Sequence, residues 1–322
     1  MQSPQFIGEP PGRIAPVDEL VNTLEFEPMA QRSLGNAVFA EIAGGNRDMF
    51  GRITFRPRMM VNTTKPDLTV EMFGQTLFAP IVVGPVAEQK RFHAEGELAT
   101  ARGAAAAKAV MVVADRSSYP VEQIAAEAKG GFWYQVYPDA DVEAARGRVQ
   151  KAVGAGAKAV CLTLGVAGTA QTGWDWATID KFRQGMKVPL LLKGIMSPEE
   201  AQAAAAKGVQ GIVVSNYVGS GNNGLASPIE VLPRIADAVG GRMPILIDGS
   251  FRRGSDVLMA IALGARAVMV ARPAMWGLAA YGAPGVERVV ELLQTETGRD
   301  MVMCGKQNIK SVDKAVVKVH RF

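Results

Sequence analysis

The chain has 322 residues, 48% of them hydrophobic and 20% charged, which excludes intrinsic disorder, because so apolar a chain buries enough surface to offset its ordering entropy. Its 35 basic and 31 acidic residues leave a net charge of +4 without long like-charge blocks, so nucleic-acid binding is not indicated. The longest apolar runs, such as Ala109 to Ala114, stop far short of the roughly 18 residues that a membrane-spanning helix needs, and no membrane partner is expected. Cys161 and Cys304 are the two cysteines and lie outside any ligand spacing, so neither a disulfide framework nor a metal site is expected. No basic segment followed by an apolar one opens the chain, which reads as cytoplasmic.

In chain order, residues 1–80 stand apart. Val17 to Leu34 reads as helical, and Phe50 to Phe78, interrupted by Pro57 and Pro66, holds short strand-like pieces; together they are expected to form a helical extension and a lid over the N-terminal end of the domain built by residues 81–322. That larger part repeats one pattern. Runs rich in Val, Ile and Leu recur at Ile81–Pro85, Ala109–Ala114, Gly131–Tyr137, Ala159–Leu164, Pro189–Ile195, Gly211–Asn216, Pro244–Gly249 and Ala267–Pro273, each followed by an alanine-rich stretch of helical length. Strands without polar alternation are buried on both faces, which requires helices outside a parallel sheet. Eight such units predict an α/β fold, a closed (β/α)8 TIM barrel. Ser197-Pro198 and Asp141 read as helix starts, and Gly208, Gly240 and Gly264 as helix stops.

In such barrels the active site lies at the C-terminal ends of the strands, and phosphates bind at the last two loops. Here those loops read Asp248-Gly249-Ser250-Phe251-Arg252-Arg253-Gly254 and Ala271-Arg272-Pro273. Glycine lets backbone N–H groups approach an anion and arginine offers a bidentate fork, so a phosphorylated cofactor or substrate fits; pairing of these arginines with surface carboxylates is the alternative. Lys193 ends the fifth run, where its ammonium enters an apolar mouth; it is either a Schiff-base lysine, a fixed cation beside a bound anionic ring, or a structural lysine. Gly219, Gly221 and Gly224 form a G-x-G-x-x-G pattern that opens no helix directly and reads as a loop. His93, ahead of a helix start, and the near-terminal His320 are not at strand ends.

Phe55-Arg56-Pro57-Arg58, Ala94 to Ala99 with Ala101-Arg102, Gln135-Val136-Tyr137, Lys193-Gly194-Ile195, Ser215-Asn216, Asp248-Gly249 with Arg252-Arg253-Gly254, and Ala262 to Ala265 leading to Arg272-Pro273 make the chain resemble the FMN-dependent α-hydroxy-acid oxidase and dehydrogenase family, the group of glycolate oxidase, lactate oxidase and flavocytochrome b2, from about Ala37 to Gly305. The resemblance implies FMN across the barrel mouth: Pro85, Val86 and Ala87 along its ring, Gln135 and Thr163 at its polar edge, Lys193 beside its N1 and C2 carbonyl region, Ser215 at the ribityl chain, and Asp248, Gly249, Arg252, Ala271 and Arg272 at the phosphate end. It also implies a small-molecule substrate and a homotetramer.

The catalytic set departs from the family pattern. Where the family has Ser-Asn-His-Gly-Gly-Arg, with the histidine as base and the arginine as carboxylate clamp, this chain has Ser215-Asn216-Tyr217-Val218-Gly219-Ser220. The aspartate and second arginine after the fourth run are replaced within Leu164 to Gly168, the family's early tyrosine aligns with Glu41, and of the substrate-facing group Tyr137 remains. The expected function is an FMN-dependent oxidoreductase with an altered site built on Tyr137, Tyr217, Lys193 and Glu41, acting on a neutral or cationic substrate larger than lactate. A flavin-binding homologue without turnover and a Schiff-base lyase using Lys193 are the alternatives.

Overall fold

The structure, a computed structural model, describes residues 13–138, 141–164, 174–217 and 226–320. The first elements among the described residues are two 3-10 turns, Val17–Glu19 and Thr23–Glu25, followed by helix α1 (Phe26–Ser33) and the short α2 (Asn36–Ala40). The continuous helix expected over this stretch is broken at Asn22, whose extended backbone and side-chain oxygen, accepting from Leu24 N, form a local turn that competes with helical hydrogen bonding. Strand β1 (Ile53–Phe55) pairs antiparallel with the last strand, β12 (Val317–Val319), and β2 (Val70–Met72) forms a hairpin with β3 (Gln75–Leu77).

The eight runs form β4 (Ile81–Val83), β5 (Val110–Ala114), β6 (Phe132–Val136), β7 (Val160–Thr163), β8 (Leu190–Ile195), β9 (Gly211–Val214), β10 (Ile245–Ile247) and β11 (Ala267–Val270), and they close into one barrel of parallel strands. Closure is made where Met269 of β11 faces Val82 of β4. Several strands end earlier than their apolar runs: Pro273 sits in the first turn of the following helix, and Gly249, at φ +104°, leaves the extended conformation. The helices between strands are α3 (Gly96–Ala106), α4 (Val121–Glu127), α5 (Val142–Gly154), α6 (Trp176–Arg183), α7 (Pro198–Ala206), α8 (Pro228–Val239) and α9 (Gly254–Ala262); α10 (Arg272–Tyr281) and α11 (Ala283–Met303) follow β11. The Ser197 hydroxyl accepts from Glu200 N, the Asp141 carboxylate accepts from Glu143 N, and Gly240 ends α8 in the left-handed region, as their residue types dictate.

Strand side chains alternate between two buried layers. Ile81, Val83, Met111, Val113, Leu162 and Leu192 pack outward against the helices. Val82, Val112, Trp133, Cys161, Leu191, Val213, Leu246 and Met269 point into the barrel, where Met72, Leu77 and Phe73 of the hairpin pack beneath them. Phe73 meets Trp133 edge to face at 5.3 Å between ring centroids. The hairpin therefore seals the N-terminal end, and the polar inward residues start one layer higher.

Candidate active site

Continuing the inward register along the strands leads from Trp133 to Gln135, from Cys161 to Thr163, from Leu191 to Lys193, from Val213 to Ser215 and from Leu246 to Asp248. The period-two geometry of a strand thus turns an apolar layer into a polar one within two residues. Lys193, 4% exposed, donates from Nζ to Ser215 Oγ at 2.8 Å and lies 2.7 Å from an Asp248 carboxylate oxygen. Gly194, at φ +111°, lets the strand bulge after this lysine, and a Cβ there would meet the Leu164 carbonyl oxygen at 2.6 Å. Gln135 donates to Thr163 Oγ1 at 3.0 Å. Its buried Oε1 has no hydrogen-bond partner among the described residues, an acceptor left facing whatever fills the mouth.

At the loops after β10 and β11, two arginines converge. Arg252, 3% exposed, stacks over the Trp276 ring at 4.5 Å and donates to the carbonyls of Phe251 and Gly44. Arg272 donates to Gly44 O at 2.8 Å and to Ser250 Oγ at 3.4 Å. Neither guanidinium has a carboxylate within ion-pair distance among the described residues. Burial first, and then the charge of Arg272, presses Arg252 down to about 9, and burial also lowers Arg272; an anion between them would relieve both. The neighbouring Arg253 behaves differently, with its Nε 2.8 Å from Glu296. Adjacent residues of this loop thus differ: Arg252 is buried over Trp276 without a carboxylate partner among the described residues, and Arg253 pairs with a carboxylate.

The strand runs gave no hint of the segment Ala43-Gly44-Gly45, which crosses these arginines. Gly45 sits at φ +139°, and a Cβ there would stand 2.8 Å from Ser250 Oγ and 3.0 Å from the Arg272 guanidinium, so a side chain would be strained and would push both groups aside. Its signal was the glycine pair itself, met before the barrel starts.

The remaining candidates occupy the rim. Pro85, Val86 and Ala87 form the half-buried loop after β4, Ala271 neighbours Gly84 at the end of β11, and Gly249 packs by Pro228 and Asn216. Tyr137 donates to the Tyr217 hydroxyl at 3.5 Å, and Lys193 Nζ lies 5.2 Å from the centre of the Tyr217 ring. Burial, reinforced by Tyr217, raises Tyr137 well above the usual phenol range, which keeps its proton in place as a donor. Glu41, at the end of α2, is bonded to Arg91. His93 accepts from Glu95 N and lies against Gly282, and His320 bonds Thr54, so neither of the two histidines is at the mouth. The loops with Gly165 to Gly168 and with Val218, Gly219, Ser220, Gly221 and Gly224 lie outside the described residues. Among the described residues no cluster of His, Cys, Asp and Glu could hold a metal ion, and no helix is long and apolar enough to cross a membrane.

Comparison with known proteins gives this mouth its class. The model of the family described as FMN-dependent dehydrogenase matches residues 41–171 and 166–319. A peroxisomal (S)-2-hydroxyacid oxidase of Arabidopsis thaliana is 32% identical, with 94% of this chain and 97% of that protein covered. An L-lactate oxidase of Nostoc sp. is 32% identical over 91% of this chain and 96% of its own length. Among solved structures, an arginine-to-leucine variant of mandelate oxidase with 2-hydroxy-phenylacetamide superposes with a TM-score of 0.88 at 34% identity, covering 94% of this chain and 100% of that one.

The chain belongs to the FMN-dependent dehydrogenase family, and FMN is its cofactor. The residues present suit that group. One buried and one half-buried guanidinium without carboxylate partners among the described residues fit a phosphate, and the orphaned Gln135 Oε1 fits the imide N–H of a flavin ring.

Proposed function

We propose that this chain is an FMN-dependent oxidoreductase whose substrate is not a short 2-hydroxy acid but a molecule larger than lactate and neutral at its reacting end. The observation that carries the reading is the place of Tyr217: where the family pattern has a histidine base, a tyrosine stands with its hydroxyl 3.5 Å from that of Tyr137, and both histidines of the chain are elsewhere. In this reading Arg252, Arg272 and Gly249 hold the phosphate, Gln135 and Thr163 the ring edge, Pro85, Val86, Ala87 and Ala271 the rim, and Ser215 the sugar-like chain. Bound FMN supplies a two-electron acceptor. The protein's own groups orient the substrate. Tyr137, protonated at neutral pH, donates a hydrogen bond to a hydroxyl or carbonyl oxygen, and Tyr217 extends that polar contact. Lys193, fixed between Ser215 and Asp248, presents a localised positive charge next to the ring site.

Both loops in which the family carries its carboxylate-clamping arginines lack any Arg, Lys or His in this chain, so a carboxylate on the reacting carbon would enter a desolvated site without a partner. The charge of Glu41 is taken up by Arg91, which favours a neutral reacting end over a cationic one. A Schiff-base role for Lys193 is disfavoured because Nζ already serves two acceptors. The test is anaerobic mixing of the yellow holoprotein with L-lactate, glycolate and a panel of neutral alcohols such as 2-hydroxy-phenylacetamide. Slow or absent bleaching by the two acids, with bleaching by a neutral alcohol, is expected. Introducing Tyr217→His, Ser220→Arg and Gly165→Asp together should restore bleaching by the acids. Rapid bleaching of the unaltered protein by either acid overturns the proposal, and a stable flavin that no panel member reduces supports the homologue without turnover.

A further inference from the structure

Apart from the two arginines assigned to the phosphate, most charged groups that the described residues place around the mouth have a partner of opposite charge; Lys90, over the Tyr119 ring, and Arg116 do not. Lys193 is matched by Asp248, Asp115 by Arg148, and Glu41 and Glu88 both by Arg91. Arg116, in the loop after β5, is exposed, and among the described residues its guanidinium has no carboxylate within ion-pair distance. It lies over the face of Tyr137, with Cζ 5.2 Å from the ring centre. Tyr137 touches Tyr217, and Tyr217 touches Lys193. Arg116 is therefore the outer end of a continuous row of side chains that crosses the mouth and ends at the buried lysine.

The loop that carries it is held from both sides. Asp115 accepts from the Tyr134 hydroxyl at 2.8 Å and from Arg148 Nε at 2.9 Å. The Arg116 carbonyl accepts from Glu88 N at 2.9 Å, a bond made by a residue in the left-handed region, at φ +50°, where a side chain other than glycine is uncommon. Its backbone is thus pinned to the loop after β4, while its exposed fork of donors meets no carboxylate among the described residues.

Resting on the substrate reading above, we propose that Arg116 is a specificity-determining residue: it binds a carboxylate that the substrate carries away from its reacting carbon, at the rim of the site and outside the flavin's reach. Arginine matches a carboxylate bidentately, and the Tyr137 ring beneath restricts the plane of the fork. The substrate class is then a monocarboxylate with a neutral alcohol at the other end, separated by a spacer that spans Tyr137. This placement differs from a clamp on the reacting carbon, because Arg116 leaves from the second barrel strand and not from the fourth or sixth.

The test measures binding and not turnover, so it stands apart from the bleaching experiment. Benzoate, phenylacetate and 3-phenylpropionate, each with its carboxamide, are titrated into the holoprotein by calorimetry. At least one acid should bind more tightly than its amide. Arg116→Gln should weaken that acid about ten-fold or more while leaving its amide unchanged, and Arg116→Lys should recover part of the preference, because the charge remains without the fork. Equal affinity for acids and amides, no binding of any acid, or an unchanged acid affinity in Arg116→Gln overturns the inference, even where the bleaching results uphold the function proposed above.

Discussion

The two ends of the same eight strands have opposite chemistry. At the N-terminal end the inward side chains are Val82, Val112, Trp133, Cys161, Leu191 and their neighbours, closed from below by Met72, Phe73 and Leu77. At the C-terminal end, two residues further along the same registers, they are Gln135, Thr163, Lys193, Ser215 and Asp248. The lower layer fills its own space. The upper one leaves a buried acceptor, and the loops beside it hold a buried and a half-buried guanidinium without counter-ions among the described residues, a costly arrangement for a protein alone and a suitable one for a bound anionic ring system. If, as proposed, the lower layer contributes stability and the upper layer binding, substitutions in the two should separate these properties.

The largest effect is expected below. Leu191→Ala should lower unfolding free energy by roughly 2 to 5 kcal/mol, because a fully buried side chain leaves a cavity; denaturant titration measures it, and the flavin spectrum of the folded fraction should not change. In the upper layer, Arg272→Ala should weaken FMN binding by roughly 1.5 to 3 kcal/mol, about ten- to a hundred-fold, seen in equilibrium dialysis; unchanged affinity would remove the phosphate assignment. Arg253→Ala sharpens the contrast inside one loop. Its partner is the buried Glu296, so it should cost roughly 1.5 to 3 kcal/mol of stability and leave FMN affinity as it was.

The smallest effect is one of pH. Burial first, and then Asp115, raises Tyr134, while burial and Tyr217 raise Tyr137. Both phenols keep their protons in the folded state after an unfolded chain would lose them, near pH 10. The folded state then binds more protons, so this contribution to stability is intact below pH 10 and is lost as the pH rises from there through the folded-state values. Ultraviolet titration should find Tyr134 and Tyr137 resisting ionisation at pH 10 until the protein unfolds.

Much of this was legible in the one-dimensional pattern. Uninterrupted runs of Val, Ile and Leu dictate strands buried on both faces, eight of them followed by helices leave a closed barrel as the solution, and caps such as Ser197 and Asp141 act over three residues or fewer. Arg252 and Arg272 were legible because loop position and residue type suffice to place a cation at a strand end. What only the tertiary structure decided are the partners, because contacts between residues far apart in the chain leave no local periodicity. Gly44 and Gly45 lie over the guanidiniums of Arg252 and Arg272 from more than 200 positions away. Arg253 turns to Glu296 while its neighbour turns inward, and Glu41 is neutralised by Arg91. Arg116, one more charged loop residue when read in order, is set over the Tyr137 ring, without a carboxylate partner among the described residues, only after the barrel closes.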